Sequence, residues 1–188
     1  MSRSMTDRAL TALSLILLAL GCGDAPEPPD TDMIDAPTPP PTGALIDPMA
    51  WREAGALDPF PDHRPREVRC DRGSVLLDPG FLDVSTESCD YVLITQPLLR
   101  GLRAGEVIEI ESGHLILFNP DGDASGHMAL GIDGQLIWER EVLIPAGAQV
   151  YFDSVTLAQD FPAGAQLTLH LHNHGANEWR LYDVRAAP

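Results

Sequence analysis

From residue 66 onward, apolar and polar residues alternate in short runs, and no run shows a convincing helical period. The runs are rich in Val, Ile, Leu, Tyr and Phe, and Gly, Pro, Asp and Asn separate them. This pattern predicts strands at 73–77, 81–86, 90–96, 106–111, 113–118, 127–132, 135–144, 149–157, 166–173 and 179–185. So many short strands in about 120 residues predict an all-β fold, a two-layer antiparallel β-sandwich of the jelly-roll type.

The segment 166–172 shows the alternation most clearly. Its odd positions are leucine: Leu167, Leu169 and Leu171. Its even positions are polar: Thr168, His170 and His172. Because successive side chains of a strand point to opposite faces, we expect the leucines to face the core and the histidines to lie on the outer face.

Asp133 and Gly134 separate the predicted strands 127–132 and 135–144. Both residue types favour a positive φ at the two central positions of a tight turn, so the pair predicts a two-residue β-hairpin.

The N-terminus has a different pattern. Arg3 and Arg8 precede the uncharged, leucine-rich run Ala9–Leu20. Its twelve residues are too few to span a bilayer of about 30 Å at about 1.5 Å per residue, so the run is typical of a secretory signal. The run ends in Leu18-Ala19-Leu20-Gly21-Cys22, which resembles the lipobox of bacterial lipoproteins.

That resemblance implies that residues 1–21 are removed as a signal peptide and that Cys22 is lipidated and anchors the chain in a lipid bilayer. Two or three acyl chains give a stable anchor. The alternative is an ordinary secretory signal with a chance cysteine. Asp24 lies one place beyond the position at which an aspartate resembles an inner-membrane retention signal. We therefore expect the protein in the bacterial cell envelope, at the outer membrane, either facing the periplasm or exposed at the surface.

Residues 22–49 are expected to form a disordered tether. Eight prolines and six acidic residues occur between 23 and 49, with few large apolar side chains. Such a composition cannot build a core and favours an extended, self-repelling spacer. Residues 50–65 are a transitional segment, in which Trp51, Leu57 and Phe60 can pack onto the domain while several prolines prevent a long element. The folded domain is expected to span 66–188.

The formal net charge of −16 excludes a nucleic-acid binder, because phosphate recognition requires a basic face. Cys70 and Cys89 remain once Cys22 is set aside, and a pair of cysteines in an exported chain predicts one disulfide. Closing a loop of about 20 residues stabilises a fold by roughly 3 kcal/mol in the chain-entropy model.

Histidines in the run 170–174 are candidate ligands for Zn or Cu, because imidazole is a common ligand of both metals. The run presents His170, His172 and His174 at alternate positions, with Glu178 following. Gly164, the two histidines His170 and His172, and Glu178 resemble the first motif of cupins, which implies a metal held by two histidines and a glutamate. The alternative is a row of solvated histidines near a sheet edge. In either case His63 lies outside the predicted sandwich.

The stretch 173–181 loosely resembles the last hairpin of jelly-roll carbohydrate-binding modules. The resemblance implies a ligand site for a glycan on Asn173, Asn177, Trp179 and Arg180. Aromatic rings stack on sugar faces, and amide or guanidinium groups bind hydroxyls. The alternative is that Trp179 fills the core and the asparagines form the turn.

Together these patterns predict an exported, membrane-anchored lipoprotein that displays a β-sandwich binding or interaction module, with a glycan or a protein as its partner. A metal-binding or cupin-like protein using the histidine run is the alternative. Catalysis is disfavoured, since no G-x-S-x-G motif occurs and no free cysteine is expected to pair with a histidine.

Overall fold

The computed structural model describes residues 43–188, which all belong to the unit Pro39–Pro188. The signal peptide 1–21, the lipidation site Cys22 and the tether as far as residue 42 lie outside the described residues, so what the sequence predicts for them stays a prediction. Among the described residues, no helix is long and apolar enough to cross a membrane.

Strands make up most of the described chain. They are β1 (Arg52–Glu53), β2 (Val75–Asp78), β3 (Phe81–Ser85), β4 (Tyr91–Pro97), β5 (Val107–His114), β6 (Ala124–Ile132), β7 (Gln135–Ile144), β8 (Gln149–Thr156), β9 (Gln166–Asn173) and β10 (Glu178–Ala186). A short 3-10 turn, Pro61–His63, precedes β2.

The strands form two five-stranded sheets. Sheet I has the order β1-β4-β9-β6-β7 and sheet II the order β2-β3-β10-β5-β8, and every pairing between neighbours is antiparallel. From β3 to β10 the chain alternates between the sheets, except at the β6–β7 hairpin. This is the strand order of a jelly roll. The fold class predicted from the alternating pattern is therefore confirmed.

The core lies between the two sheets. Leu167, Leu169 and Leu171 of β9 point into it and are buried, as the alternation of β9 predicts. Trp179 of β10 enters from sheet II and is 1% exposed. Gly126 of β6 makes room for this ring, because a Cβ atom there would lie 2.3 Å from Cζ2 of Trp179.

The predicted β6–β7 hairpin is also confirmed. Asp133 has a φ of 51° and Gly134 a φ of 82°, so both turn residues adopt the left-handed conformation that a type I′ turn requires.

One predicted strand is absent. The sequence predicts strands at 106–111 and 113–118, but a single strand, β5, ends at His114. Leu117 instead forms an isolated bridge with Ala146, and Ile116 is 71% exposed. The apolar run 115–118 resembles a strand in sequence, yet its residues leave the sheet as a loop.

The folded part begins earlier than residue 66. The amide of Leu45 donates to the carbonyl of Val184 at 3.0 Å, and the amide of Ala186 donates to the carbonyl of Gly43 at 2.8 Å. Leu45, Ile46 and Trp51 are buried in the core. Residues 43–49, assigned to the tether from their composition, therefore pack on the sandwich, because two isolated apolar residues suffice to attach a segment without creating a periodic pattern.

The predicted disulfide joins Cys70 and Cys89, which are 19 residues apart. It links the segment before β2 to the segment before β4.

Candidate metal centre

The outer face of sheet I carries histidines and carboxylates in neighbouring rows. One row across β7, β6 and β9 contains Glu141, His127 and His172. The next row contains Glu139, Ala129 and His170. Directly opposite residues in antiparallel strands have Cβ atoms about 4.5–5.5 Å apart, so each row brings its side chains into contact range.

Residues 54–65, here called the cover segment, pack over this face. The ring of Phe60 lies edge-on to His127, with 4.6 Å between centroids, and stacks on His63 at 5.0 Å. The side chain of Asp58 accepts a hydrogen bond from the amide of Phe60 at 2.9 Å, a local turn that aspartate favours. Pro61 begins the 3-10 turn, and His63 ends it. The cover segment thus places Asp58 and His63 against the outer face of sheet I.

Three histidines from distant parts of the chain meet beneath the cover segment. One ring nitrogen from each of His63, His127 and His170 lies within 4.8 Å of the other two. His170 is fully buried, and His127 is 9% exposed. One histidine comes from the cover segment, one from β6 and one from β9. The cluster therefore forms only when the chain folds.

In two of these imidazoles, one ring nitrogen is hydrogen-bonded to a carboxylate. Nδ1 of His170 bonds Oδ1 of Asp58 at 2.9 Å, and Nε2 of His127 bonds Oε2 of Glu139 at 3.0 Å. The other nitrogens, His170 Nε2 and His127 Nδ1, are buried and have no hydrogen-bond partner among the described residues, and the same holds for His63 Nδ1. A carboxylate on one nitrogen and a free second nitrogen is the arrangement typical of histidines that bind metals.

Burial also sets the charge of the site. It lowers the pKa of His170 from 6.5 to about 4, although Asp58 acts in the opposite direction. Burial lowers the pKa of His172 as well, and His174 and His63 add to the effect. Burial raises the pKa of Tyr91, whose hydroxyl donates to Asp58. His170 and His172 are therefore neutral at pH 7, which is the form in which imidazole binds a metal.

A cavity of about 380 Å³ opens beside His63 and His127. Its lining residues are Phe60, His63, Ser125, His127, Glu139, Glu141, His172 and His174. Two members of the cluster, His63 and His127, thus border space that a small ligand or water can enter.

The structure changes the predicted ligand set. His170 belongs to the cluster, whereas His172 and His174 line the adjoining cavity. Glu178 lies on β10 in sheet II, where it faces Arg180, so the cupin-like combination of His170, His172 and Glu178 is not brought together. The alternation within β9 identifies one member of the cluster, whereas the two others depend on strand pairing and on the cover segment.

The sequence places His63 outside the predicted sandwich, because the segment 50–65 has no periodic pattern that would assign it to a strand. The signal available in the sequence was the presence of Trp51 and Phe60, two aromatic residues in an otherwise polar and proline-rich segment. Such residues attach a segment to a domain.

Three of the four residues predicted to bind a glycan form an internal network instead. Nε1 of Trp179 donates to Oδ1 of Asn173 at 3.2 Å inside the protein. Asn177 is 5% exposed and accepts a hydrogen bond from the amide of Phe118. Arg180 pairs with Asp83 and Glu178 on the outer face of sheet II. Because the ring of Trp179 is enclosed, it cannot stack on a sugar, and the alternative role in the core is the one observed.

No protein-family model and no curated protein sequence matches the chain. Among solved structures, the chain is similar to a carbohydrate-binding module, CBM4, at 11% identity and a TM-score of 0.42, covering 64% of this chain and 93% of that one. It is similar to the N-terminal cellulose-binding domain of Cellulomonas fimi β-1,4-glucanase C at 12% identity and a TM-score of 0.43, covering 64% and 88%. It is also similar to TmCBM61 in complex with β-1,4-galactotriose, at 10% identity and a TM-score of 0.35, covering 72% and 98%. With TM-scores below 0.5, these similarities support no conclusion about ligands.

Proposed function

We propose that this domain binds a transition metal, Zn²⁺ or Cu²⁺, through His63, His127 and His170. The observation that carries the proposal is the convergence of three imidazoles, each of which keeps a buried nitrogen without a partner in the part of the chain that the structure describes. Buried polar atoms in folded proteins are nearly always hydrogen-bonded. Other buried polar atoms of residues 43–188 also lack a partner, but these three belong to imidazoles close enough to share one ion.

The donor set fits these metals. Imidazole suits Zn²⁺ and Cu²⁺, whereas Ca²⁺ and Mg²⁺ prefer oxygen ligands. Asp58 and Glu139 fix the orientation of His170 and His127 and increase their basicity, as carboxylates do around bound zinc. Three protein ligands leave a fourth coordination position, and the cavity beside His63 and His127 gives space for it.

Metal titration of the purified full chain tests the proposal. After treatment with a chelator, the protein is titrated with Zn²⁺ and Cu²⁺ in competition with a chromophoric chelator. We expect about one equivalent to bind, and we expect His63→Ala or His170→Ala to weaken binding by at least about 100-fold. The matched control is His114→Gln, because His114 bonds Tyr151 in the other sheet and lies outside the cluster. Binding by the parent no tighter than by a His63→Ala, His170→Ala double variant would contradict the proposal.

We further propose that the domain is displayed on the bacterial cell envelope by lipidated Cys22. The support is the lipobox resemblance at residues 18–22 and the acidic, proline-rich composition that follows it. Expression with an alkyne-labelled fatty acid should label the parent and not Cys22→Ser, and the variant should leave the membrane fraction. Equal labelling of both proteins would exclude Cys22 as the modified residue.

A further inference from the structure

Two histidines of the cavity lie beyond the cluster and continue it toward solvent. The ring of His172 lies 5.5 Å from that of His63, and the ring of His174 lies 4.6 Å from that of His172. His63 in turn lies 5.1 Å from His127 and 5.4 Å from His170, measured between ring centroids. Five imidazoles thus form a continuous series in which each ring is in contact range of the next.

Burial increases steadily along this series. His174 is exposed, His172 and His63 are half-buried, and His170 is fully buried. The same cavity borders His174, His172 and His63, so the series follows an open path from the surface. An ion that enters beside the exposed His174 therefore meets His172 before it meets His63.

The inner cluster also offers an ion more imidazoles than the outer pair does. Among residues 43–188, the group His63, His127 and His170 is the one set of three or more donors close enough to share an ion. His172 and His174 offer two imidazoles, and within residues 43–188 no carboxylate is hydrogen-bonded to either ring. Glu139 and Glu141 line the same cavity and favour the entry of a cation. An ion at the outer pair is thus held by fewer ligands than an ion in the cluster.

We propose that His172 and His174 form an outer capture site that takes up the metal ion at the surface and passes it to His63, and so to the cluster. This inference rests on the proposed metal-binding function. It gives the histidine pair a kinetic role, because an ion held near the entrance reaches the buried ligands more often than one arriving from bulk solvent. The pair adds nothing to the final coordination of the ion.

Stopped-flow loading of the chelator-treated full chain with Co²⁺, followed by its absorbance, tests the inference. We expect the His172→Ala, His174→Ala double variant to load at least about fivefold more slowly than the parent. The equilibrium affinity of this variant for Co²⁺ should stay within about twofold of the parent's. Its dissociation rate must therefore fall by about the same factor as its loading rate. Ser125→Ala is the matched control, because Ser125 lines the same cavity without an imidazole.

The single variant His174→Ala removes an exposed side chain and gives a second measurement that does not depend on the half-buried His172. We expect it to slow loading as well, with unchanged circular dichroism. Unchanged loading in both variants would overturn the capture site while leaving the metal centre intact. A loss of affinity as large as that of His63→Ala would also overturn it, because the pair would then be permanent ligands. Failure of the parent to bind any ion would instead remove the proposed function itself, and the capture site with it.

Discussion

The outer faces of the two sheets arise from the same alternation of apolar and polar residues, yet their polar side chains differ in how far they are exposed to solvent. On sheet II, Arg180 pairs with Asp83 and Glu178 in contact with solvent. On sheet I, the cover segment packs over His127 and His170, and His170 has no exposed surface at all. Alternation identifies the positions that point away from the core, but it does not tell which of them another part of the chain will bury.

This difference has an energetic consequence. Ion pairs on an open face are solvated and contribute little to stability, because water competes with each partner. Polar groups buried beneath the cover segment need hydrogen-bond partners inside the protein, and each unpaired one lowers the free energy of unfolding. Asp58 satisfies both His170 and the hydroxyl of Tyr91, whereas three ring nitrogens stay unpaired. On sheet II, Oδ1 of Asp83 and Nε of Arg180 also lack a partner among the described residues, so the convergence of three imidazoles is what distinguishes the covered face.

The largest expected effect on stability follows from Asp58→Ala. The change leaves Nδ1 of His170 and the hydroxyl of Tyr91 without their partner beneath the cover segment. We expect the free energy of unfolding to fall by about 3–5 kcal/mol, as measured by urea denaturation of the metal-free protein. The control on the open face is Asp183→Ala, which should leave the denaturation midpoint close to that of the parent. Equal loss in the two variants would show that the covered and open faces do not differ.

Acidification is expected to destabilise the metal-free protein through His170. Burial lowers the pKa of this residue to about 4 in the folded state, against 6.5 for a free histidine. Below pH 6.5 the unfolded chain therefore binds a proton that the folded protein does not, and stability falls as the pH falls toward 4. The loss amounts to about 3 kcal/mol at pH 4.

Urea denaturation across pH 7–4 measures this loss, and His170→Gln should remove most of it. His172, whose pKa is also lowered, contributes a loss of the same sign. A parent whose stability is constant between pH 6.5 and 4 would show that His170 is accessible to protons despite the cover segment.

Metal binding is expected to stabilise the cover segment more than sheet II. His63 belongs to the cover segment, so an ion shared with His127 and His170 fastens the segment to sheet I. In hydrogen exchange with and without saturating Zn²⁺, amides of residues 57–64 should exchange at least about tenfold more slowly in the presence of the ion. Amides of β3 and β10 in sheet II should change less. Uniform protection of both regions would argue that the ion stabilises the fold as a whole.

Arg180→Gln should have the smallest effect. Its ion pairs with Asp83 and Glu178 lie on the open face of sheet II, and its guanidinium lies over the ring of Phe81. After screening by water, we expect a loss below about 1 kcal/mol. A loss as large as that of Asp58→Ala would place a second covered site on sheet II.

The sequence predicted the sandwich well because the sandwich depends on local alternation. The leucines of β9 and the Asp133-Gly134 turn each specify their own conformation, so they could be identified without tertiary information. The cluster depends on contacts between residues far apart in the chain: His170 and Asp58 are 112 residues apart. No local pattern encodes such a pairing. For the same reason, the sequence leaves Trp179 with two possible roles, on a binding surface or in the core, and only the packing between the sheets shows that it is enclosed.

The place at which the chain enters the domain has a mechanical consequence. The backbone of Gly43 and Leu45 is hydrogen-bonded to the last strand, β10, and Leu45 is fully buried. Tension arriving from the N-terminal side is therefore borne by sheet II and the core before it reaches residues 54–65. A pull on the chain, as from an anchor, would have to extract Leu45 and Ile46 before it could lift His63. The contacts of residues 43–46 with β10 and the core thus isolate the histidine cluster mechanically from the part of the chain that precedes residue 43.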